Sequence, residues 1–396
     1  MIVRHYIICD TCKYPHTLRL QVGHTPYQEH SFHCVDCGEK IVVGMHCYPK
    51  TASVEIKELE NSTQGTEEGT IVNLSSEFPI QRHNLHRDLA FPSIEHVQRL
   101  SKAQEQLGAE LRSFSIFEET HHDAINSSFP EVWTILKKGW SLTSRERYNL
   151  AEEQLRKYPI AGYNGPYQLN YLLFDFCARF LMPGRYTLFE DAASLIKKIS
   201  KEHPSEFQNF RSYYKTSMET DNLSRYFNVF SEYFKCFSDF SQTLAFVQHG
   251  IKLPEDFEAS SYSFGKTKLF YGNSFEALTS NVTVLACVNN IHKNRTYGQF
   301  EKMDLSKYLT INKANRANPF QDIPELSEIT NCLESTLRNA SHHGSAMLSN
   351  DGKTIQYRSG GTGSKRSIPY KKYIDKCNEI MLSSCALLLI ELAISA

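Results

Sequence analysis

The sequence has no excess of charge of either sign. Its 43 Lys and Arg residues are balanced by 44 Asp and Glu residues, so the formal net charge of the 396 residues is −1. A chain of this charge has no global basic field that would hold nucleic acid by electrostatics alone. A nucleic-acid partner would therefore need a local basic patch, or basic charge that is shared between two subunits.

The sequence also shows little sign of secretion or of a membrane. Its N-terminus lacks the basic and then apolar pattern of a secretory signal. The longest apolar stretch, from Met381 to Ala396, is short for a membrane span and contains Ser383, Ser384 and Glu391, which favours a buried core helix. Because the chain carries 11 cysteines without a secretory signal, we expect a reducing compartment and a cytoplasmic protein.

Several common catalytic motifs are missing. The sequence contains neither a Gly-x-Ser-x-Gly nor a His-Glu-x-x-His pattern. The glycine cluster Gly360-Gly361-Thr362-Gly363 does not fit a phosphate-binding loop, because no Lys followed by Ser or Thr opens a helix after a strand there.

Periodicity and composition predict a mainly α-helical chain with a β-structured N-terminus. Two further strands, Ser53–Leu59 and Thr70–Leu74, either extend the first domain to about residue 79 or cross a linker. The aromatic-rich stretch from Phe207 to Phe246 has helical spacing, which is typical of a core. We predict a β-structured module, a helical middle region of unknown role and a C-terminal helical bundle, over residues 1–50, 80–260 and 261–396.

Four segments outline the C-terminal bundle. Phe275–Asn290 has the spacing of one helix, and Asp322-Ile323-Pro324-Glu325 combines an Asp cap with an early Pro at the start of another. Residues 346–368 alternate as strands do around Asp351-Gly352, which predicts an inserted β-hairpin. A last helix is expected from about Tyr370 to the end of the sequence.

Two Cys-x-x-Cys pairs carry the strongest metal signal. Cys9 and Cys12 form the first pair, Cys34 and Cys37 form the second, and Gly38 follows directly. Four thiolates in two tight pairs suit a tetrahedral Zn²⁺, because each pair can chelate from one turn while the intervening residues form a short β-hairpin. A redox pair would need a thioredoxin-like βαβ setting, which is missing, and unrelated buried cysteines are the other alternative. Four thiolates close the coordination sphere, so we expect a structural Zn²⁺ in a zinc-ribbon-like module that recognises nucleic acid or a partner.

A second cluster of polar residues lies near the C-terminus. The segment Arg338-Asn339-Ala340-Ser341-His342-His343-Gly344 ends an amphipathic helix and precedes the expected hairpin and the apolar terminal helix. It resembles the Arg-x4-His motif of HEPN-domain ribonucleases, in which Arg-Asn is often followed by His and Gly. The position of the motif ahead of the last helix of a small bundle is also similar to the HEPN layout. The resemblance covers roughly residues 264–396.

The resemblance implies a metal-independent endoribonuclease. RNA supplies its own nucleophile, the 2′-hydroxyl, so cleavage requires a base, an acid and positive charge on the phosphorane. His343 would act as base or acid, Arg338 would clamp the scissile phosphate and Asn339 would orient one of them. Family members usually form homodimers with two motifs across one cleft, and the products would be 2′,3′-cyclic phosphate and 5′-hydroxyl ends. On an unbroken helix Arg338 shares its face with His342, so geometry favours His342 where the family pattern favours His343.

Four basic residues on the expected hairpin form the best local patch for an RNA backbone: Lys353, Arg358, Lys365 and Arg366. The resemblance further implies a role in microbial defence or in a toxin system. Two alternatives stay open. Arg338 and His343 could simply cap the C-terminus of a helix, or the protein could be an adaptor that binds RNA or protein through its zinc ribbon and HEPN-like bundle without cutting.

Overall fold

The computed structural model is mainly α-helical, with β-sheets at the N-terminus. It describes residues 1–23, 25–48, 51–106, 128–160, 165, 167–259, 261, 264–342, 344–358 and 363–396. One apolar core lies in the β-structured part, and a larger one is shared by the helices from Val132 to Ile394. This larger core crosses residue 260, and the domain boundary that we placed there stays a prediction.

Seven of the eight described strands of the N-terminal part form two sheets. The strands are β1 (Ile2–Cys9), β2 (Pro15–Gln21), β3 (Tyr27–His33), β4 (Lys40–Tyr48), β5 (Ser53–Glu60), β6 (Ser62–Gln64), β7 (Thr70–Ser75) and β8 (Ile80–Gln81). One sheet has the order β6-β1-β2-β7 and the other the order β3-β4-β5. Alternate apolar side chains from both sheets, among them Ile7, Leu18, Ile41 and Met45, are buried in one cluster. The predicted strands after residue 50 are confirmed, because β5 pairs with β4 and β7 pairs with β2.

The remaining described chain is helical apart from short strands. The helices are α1 (Pro92–Gln106), α2 (Phe129–Thr143), α3 (Tyr148–Leu155), α4 (Leu169–Leu181), α5 (Thr187–Glu202), α6 (Pro204–Ser217), α7 (Glu219–Lys235), α8 (Phe237–Gln248), α9 (Phe264–Asn281), α10 (Thr283–His292), α11 (Leu305–Tyr308), α12 (Pro324–Ser327), α13 (Ser335–His342) and α14 (Tyr370–Ser395). The later strands are β9 (Phe257–Glu258), β10 (Met347–Leu348), β11 (Thr354–Arg358) and β12 (Lys365–Pro369). Strand β9 pairs with β8, and β10, β11 and β12 form an antiparallel sheet that contains the predicted hairpin.

The helix predicted to start at Asp322 is interrupted, and that prediction was wrong. The segment folds as α12, a 3-10 turn at Glu328–Thr330 and then α13. The Tyr271 hydroxyl fills the break, since it donates to the Cys332 carbonyl at 2.7 Å and accepts from the Glu334 amide at 2.8 Å. These bonds satisfy backbone groups that a continuous helix would have paired internally. Asp322 does not cap α12, because the N-cap residue is Ile323, and the Asp322 carboxylate accepts a hydrogen bond from Lys293 instead.

The single helix predicted over Phe275–Asn290 is also wrong. Helix α9 ends at Asn281 and α10 begins at Thr283. Near this break the hydroxyls of Thr279 and Ser280 donate to carbonyls of the preceding turn. Such bonds compete with the helical backbone pattern and bend helices.

Helix α14 runs through the middle of the larger core. It is long and apolar enough to cross a membrane by length and composition, but 89% of its most apolar window is buried inside the fold. Helices α4, α5, α8 and α9 pack around it. This arrangement confirms the predicted core helix and is consistent with a soluble protein.

A buried carboxyl group interrupts the apolar surface of α14. Glu391 is 1% exposed, and its Oε2 accepts hydrogen bonds from the Tyr214 hydroxyl at 2.8 Å and from Asn222 Nδ2 at 3.0 Å. Its Oε1 accepts from the Tyr226 hydroxyl at 2.7 Å. Burial raises the pKa of Glu391 to about 7, although the three hydrogen bonds oppose this shift.

Candidate metal centre and Arg–His site

The four cysteines of the two pairs converge at one end of the β-structured part. Their Sγ atoms all lie within 4.8 Å of one another. The distance is 3.8 Å between Cys9 and Cys37 and 3.5 Å between Cys12 and Cys34. Tetrahedral coordination with Zn–S bonds of about 2.3 Å places the sulfurs about 3.8 Å apart. The cluster therefore fits a structural metal ion such as zinc.

Each cysteine pair lies in the turn of its own hairpin, and the two turns have the same backbone pattern. In each, the amide of the first cysteine donates to the carbonyl five residues later, at 3.0 Å in the β1–β2 turn and 2.8 Å in the β3–β4 turn. The residue after the second cysteine has a positive φ, 63° at Lys13 and 76° at Gly38. Strands β2 and β3 lie in different sheets. The single hairpin predicted between the two pairs is therefore wrong, and the metal ligands come from two hairpins of two sheets.

Asn61 connects the metal centre to both sheets. Its Nδ2 donates to Cys9 Sγ at 3.7 Å and to the Lys40 carbonyl at 3.1 Å, and its Oδ1 accepts from the Thr11 hydroxyl at 2.8 Å. Asn61 has a φ of 54° and lies between β5 and β6, where the chain passes from one sheet to the other. Partners of this kind orient metal ligands and strengthen metal binding.

The thiols of the cluster differ in acidity. Burial would raise the pKa of Cys9, but hydrogen bonds from the backbone amides of Cys12 and Thr11 outweigh it and lower the pKa to about 7. Burial raises the pKa of Cys12 to about 12, and the neighbouring Cys34 thiol adds to this rise. Since a metal binds the thiolate forms, loading of this cluster would release protons and depend on pH.

Arg338 lies on α13 and faces α9. Its Nε donates to Glu276 Oε1 at 2.6 Å, and its Nη2 pairs with the same carboxylate. Its Nη1 donates to Asn339 Oδ1 at 2.7 Å. The side chains of Arg338 and Glu276 are 31% and 28% exposed. The guanidinium is thus held firmly in one orientation and can still be reached from solvent.

His342 is exposed and lies on the same face of α13 as Arg338, one turn later. It packs against Gly272 of α9, where an added Cβ would lie 2.9 Å from His342 Nε2. Gly272 precedes Glu276 by one turn, so the pairs Arg338–Glu276 and His342–Gly272 show that α13 and α9 run antiparallel. Four helical residues advance about 6 Å along the axis, which places the imidazole and the guanidinium within reach of one substrate. His343 lies outside the described residues.

A polar cavity of about 250 Å³ opens beside Glu276, between α7 and α9. Its polar lining consists of Arg225, Asn228, Glu232, Asn273, Glu276, Ser280 and Lys313. Lys313 Nζ donates to the Ser280 hydroxyl and to the Glu276 carbonyl, and lies 3.4 Å from Glu276 Oε2. Burial lowers the pKa of Lys313; Glu276 opposes this shift, and the positive charges of Arg316 and Arg225 add to it. Several cations therefore act on this one cavity.

The structure does not join the four predicted RNA-binding residues into one patch. Arg358 and Lys365 are direct cross-strand partners on β11 and β12, while Arg366 pairs with Tyr357, whose side chain is buried on the other face. Lys353 precedes β11 at the far end of the hairpin. All four basic side chains belong to exposed residues.

Lys353 instead lines a cleft of about 770 Å³ between the second cysteine turn and the turn from β10 to β11. Among its described lining residues, the carboxylates of Glu39, Glu258 and Asp351 outnumber the lysines, which are Lys40 and Lys353. This cleft is therefore a poor candidate for an RNA groove.

Sequence reasoning missed three residues that shape the Arg–His site. Glu276, Gly272 and Lys313 lie far from Arg338 in sequence. The packing of α9 against α13 brings Glu276 and Gly272 to the site, and Lys313 joins it through its contacts with Glu276. The charge and spacing of residues around position 276 carry no signal for this role.

No family model, no curated protein and no solved structure matches the chain. The HEPN resemblance therefore rests on the residues themselves.

Proposed function

We propose that this protein is a metal-independent endoribonuclease whose active site lies on the face shared by α13 and α9. The single observation that supports this proposal best is the arrangement of Arg338 and His342. The two side chains lie one turn apart on one helix face, beside a polar cavity that several cations surround. A base, a phosphate ligand and room for a polar substrate are the parts that RNA cleavage requires.

In the proposed reaction the ribose 2′-oxygen attacks the neighbouring phosphorus and the bond from phosphorus to the 5′-oxygen breaks. A histidine, His342 or His343, takes the proton of the 2′-hydroxyl, and a second acid protonates the leaving 5′-oxygen. Arg338 stabilises the charge on the phosphorane, and Asn339 holds Arg338 through its Oδ1. The products are a 2′,3′-cyclic phosphate and a 5′-hydroxyl. A homodimer, as the resemblance implies, would supply a further histidine as the acid.

The engagement of Arg338 by Glu276 favours a second candidate function. A guanidinium that already binds a carboxylate through two nitrogens has fewer donors left for a phosphate. In this second proposal the chain is an adaptor that binds RNA or protein, with zinc in the four-cysteine module and an HEPN-like bundle that lacks nuclease activity. A role in microbial defence or in a toxin system belongs to the first proposal.

Purified protein incubated with total RNA, tRNA and single-stranded DNA distinguishes the two proposals. We expect the wild type to cut RNA and to spare DNA, which lacks the 2′-hydroxyl. Cutting should persist in EDTA, provided that the zinc content measured after the assay is unchanged. The fragments should carry 2′,3′-cyclic phosphate ends, which mass spectrometry detects.

Variants then assign the residues. Arg338→Ala should lower kcat by roughly a hundredfold or more, as loss of one transition-state donor does. His342→Ala and His343→Ala identify the working histidine, and the pH–rate profile should lose the corresponding limb. Exposed His83 lies outside the lining of the cavity, so His83→Ala is the matched control. RNA that stays intact with wild-type protein at high concentration would favour the adaptor.

A further inference from the structure

Arg225 differs from the other cations around the polar cavity in how it is held. Its Nη1 donates to Asn222 Oδ1 at 2.7 Å and to Asn281 Oδ1 at 3.2 Å, so two neutral amides fix the guanidinium. Lys313 and Arg338, by contrast, both pair with Glu276. The carboxylate of Asp221 lies 4.0 Å from Arg225 Nη2 and is 76% exposed, which makes it a weak partner.

The two amides are themselves fixed, so the orientation of Arg225 is set by the fold. Asn222 is buried and donates through Nδ2 to the Glu391 carboxyl group, which leaves its Oδ1 for Arg225. Asn281 is buried as well and is placed at the end of α9 to donate to the Asn222 carbonyl at 3.5 Å. Both bonds to Arg225 use Nη1, so Nη2 and Nε keep donor capacity on a side chain that lines the cavity.

The charge around the cavity favours an anion. The cavity is lined by two cations, Arg225 and Lys313, and by the carboxylates of Glu276 and Glu232. Two further cations lie behind this lining, because Arg338 pairs with Glu276 and the charge of Arg316 acts on Lys313. Glu276 is occupied by Arg338 and Lys313, and Glu232 accepts two bonds from the Asn273 amide at 3.2 and 2.9 Å. A guanidinium that is held by neutral groups and faces a solvent-connected cavity is prepared to bind an oxyanion through paired hydrogen bonds.

We propose that this cavity is a phosphate subsite and that Arg225 is its principal ligand. The subsite binds a backbone phosphate of an RNA strand next to the one that Arg338 contacts, and in this respect the proposal rests on the proposed function. Glu276 separates the two positions, because it contacts Arg338 on one side and Lys313 of the cavity on the other. Arg225 acts here in substrate binding and takes no part in proton transfer.

The test uses the whole 396-residue chain and two probes that cannot be cleaved. They are a 2′-O-methyl RNA oligonucleotide, followed by fluorescence anisotropy, and inorganic phosphate, followed by calorimetry. Arg225→Gln should weaken binding of the oligonucleotide by roughly ten- to a hundredfold, the usual value of a charge-assisted hydrogen bond. The logarithm of the association constant decreases with the logarithm of the salt concentration, and this decrease should become less steep by about 0.7, the value for one phosphate contact on a single strand. Arg156→Gln is the matched control and should change neither quantity, because Arg156 is an exposed arginine just after α3 that pairs with Glu152.

A second pair of variants covers the case in which Arg225→Gln disturbs the fold. Asn228 is an exposed residue of the cavity wall, so its replacement leaves the bonds of Arg225 in place. Asn228→Asp should weaken oligonucleotide binding several-fold, and Asn228→Lys should strengthen it. Opposite effects of two changes at one position exclude a general loss of structure. Both variants should keep the wild-type melting temperature.

The outcomes separate this proposal from the nuclease proposal. If neither probe binds wild-type protein, or if the oligonucleotide binds all four variants alike, the phosphate subsite is refuted. If Arg225→Gln and Asn228→Asp weaken binding while wild-type protein leaves natural RNA intact, the subsite stands and the nuclease proposal fails. If natural RNA is cut equally well by wild type and by Arg225→Gln, the nuclease stands and the subsite falls. Binding of phosphate alone, without the oligonucleotide, identifies a site for free anions and refutes the RNA assignment.

Discussion

Replacement of Glu391 by Gln should remove a specific part of the pH dependence of stability. The pKa of the buried carboxyl group is raised from 4.5 to about 7 in the folded protein. Below pH 4.5 the group is protonated in both the folded and the unfolded chain, so it adds no pH dependence. Between pH 4.5 and 7 the unfolded chain ionises while the folded chain keeps its proton, so stability falls as the pH rises.

The size of the effect follows from the shift in pKa. A difference of 2.5 units, which is 7 minus 4.5, costs about 3 kcal/mol once both forms are ionised, at 1.36 kcal/mol per unit. Between pH 5 and pH 8 the expected loss is about 2 to 3 kcal/mol. The glutamine side chain of Glu391→Gln would carry no charge at any of these pH values, so the variant should lack this component. Glutamine also resembles the protonated acid in shape, and the hydroxyl of Tyr226 can turn to accept from its amide.

Tryptophan fluorescence during urea unfolding measures the free energy of unfolding of wild type and Glu391→Gln, and it reports on the core around residue 391. The sequence has two tryptophans, Trp133 and Trp140, and both rings pack against Phe227 of α7. The same helix carries Asn222 and Tyr226, so the signal reports on the core that surrounds Glu391. Other titrating groups, including Asp375 with its pKa raised by burial to about 7, are common to both proteins and cancel. A free-energy gap between wild type and variant that is equal at pH 5 and pH 8 would refute the reasoning.

Three further predictions concern the metal centre and the Arg–His site. Cys37→Ser should lower the bound zinc from one ion per chain, whereas Cys47→Ser, a buried cysteine outside the cluster, should retain it; elemental analysis after gel filtration measures both. Asn61→Gly tolerates the φ of 54° but loses the bond to the thiolate, so zinc affinity should fall by roughly ten- to a hundredfold in a chelator competition; unchanged affinity would exclude a role in ligand orientation. Gly272→Ala should push the exposed imidazole of His342 aside and crowd the buried Cβ of Ser341, which lies 3.1 Å away. Because alanine inside a helix gains about 0.5 to 1 kcal/mol over glycine, the net destabilisation in urea unfolding should be about 1 kcal/mol. Gly265 lies on the same helix with open space around it, so Gly265→Ala should not lower the free energy of unfolding. Equal effects of Gly272→Ala and Gly265→Ala would contradict the close contact at Gly272.

Local patterns predicted the parts of the fold that depend on neighbouring residues. Each Cys-x-x-Cys pair is held by one turn, which needs no distant information, and the two pairs converge as expected. The hairpin turn at Asp351-Gly352 is confirmed, and Gly352 has a φ of 70° that few other residues would adopt. The terminal helix begins at Tyr370 as predicted, since a long apolar run can satisfy its backbone only as a buried helix.

Tertiary contacts decided the features that were predicted wrongly or missed. The break before α13 depends on the Tyr271 hydroxyl, which comes from another helix and cannot be read from the sequence around Asp322. The partner of Arg338 is likewise on α9, 62 residues away in sequence. The separation of β2 and β3 into two sheets depends on β7, which pairs with β2 in parallel and comes from much later in the chain. In each case the deciding group is distant in sequence and has no local signature.

The arrangement of the metal ligands on two separate hairpins has a consequence for how the β-structured part holds together. A metal ion in the four-cysteine cluster would act as a cross-link between two sheets, and it would close the loop between Cys12 and Cys34, which lowers the entropy of the unfolded chain. The second of these hairpins also forms one wall of the cleft that faces the C-terminal strands. A bound metal would therefore also restrain the turn that forms this wall of the cleft.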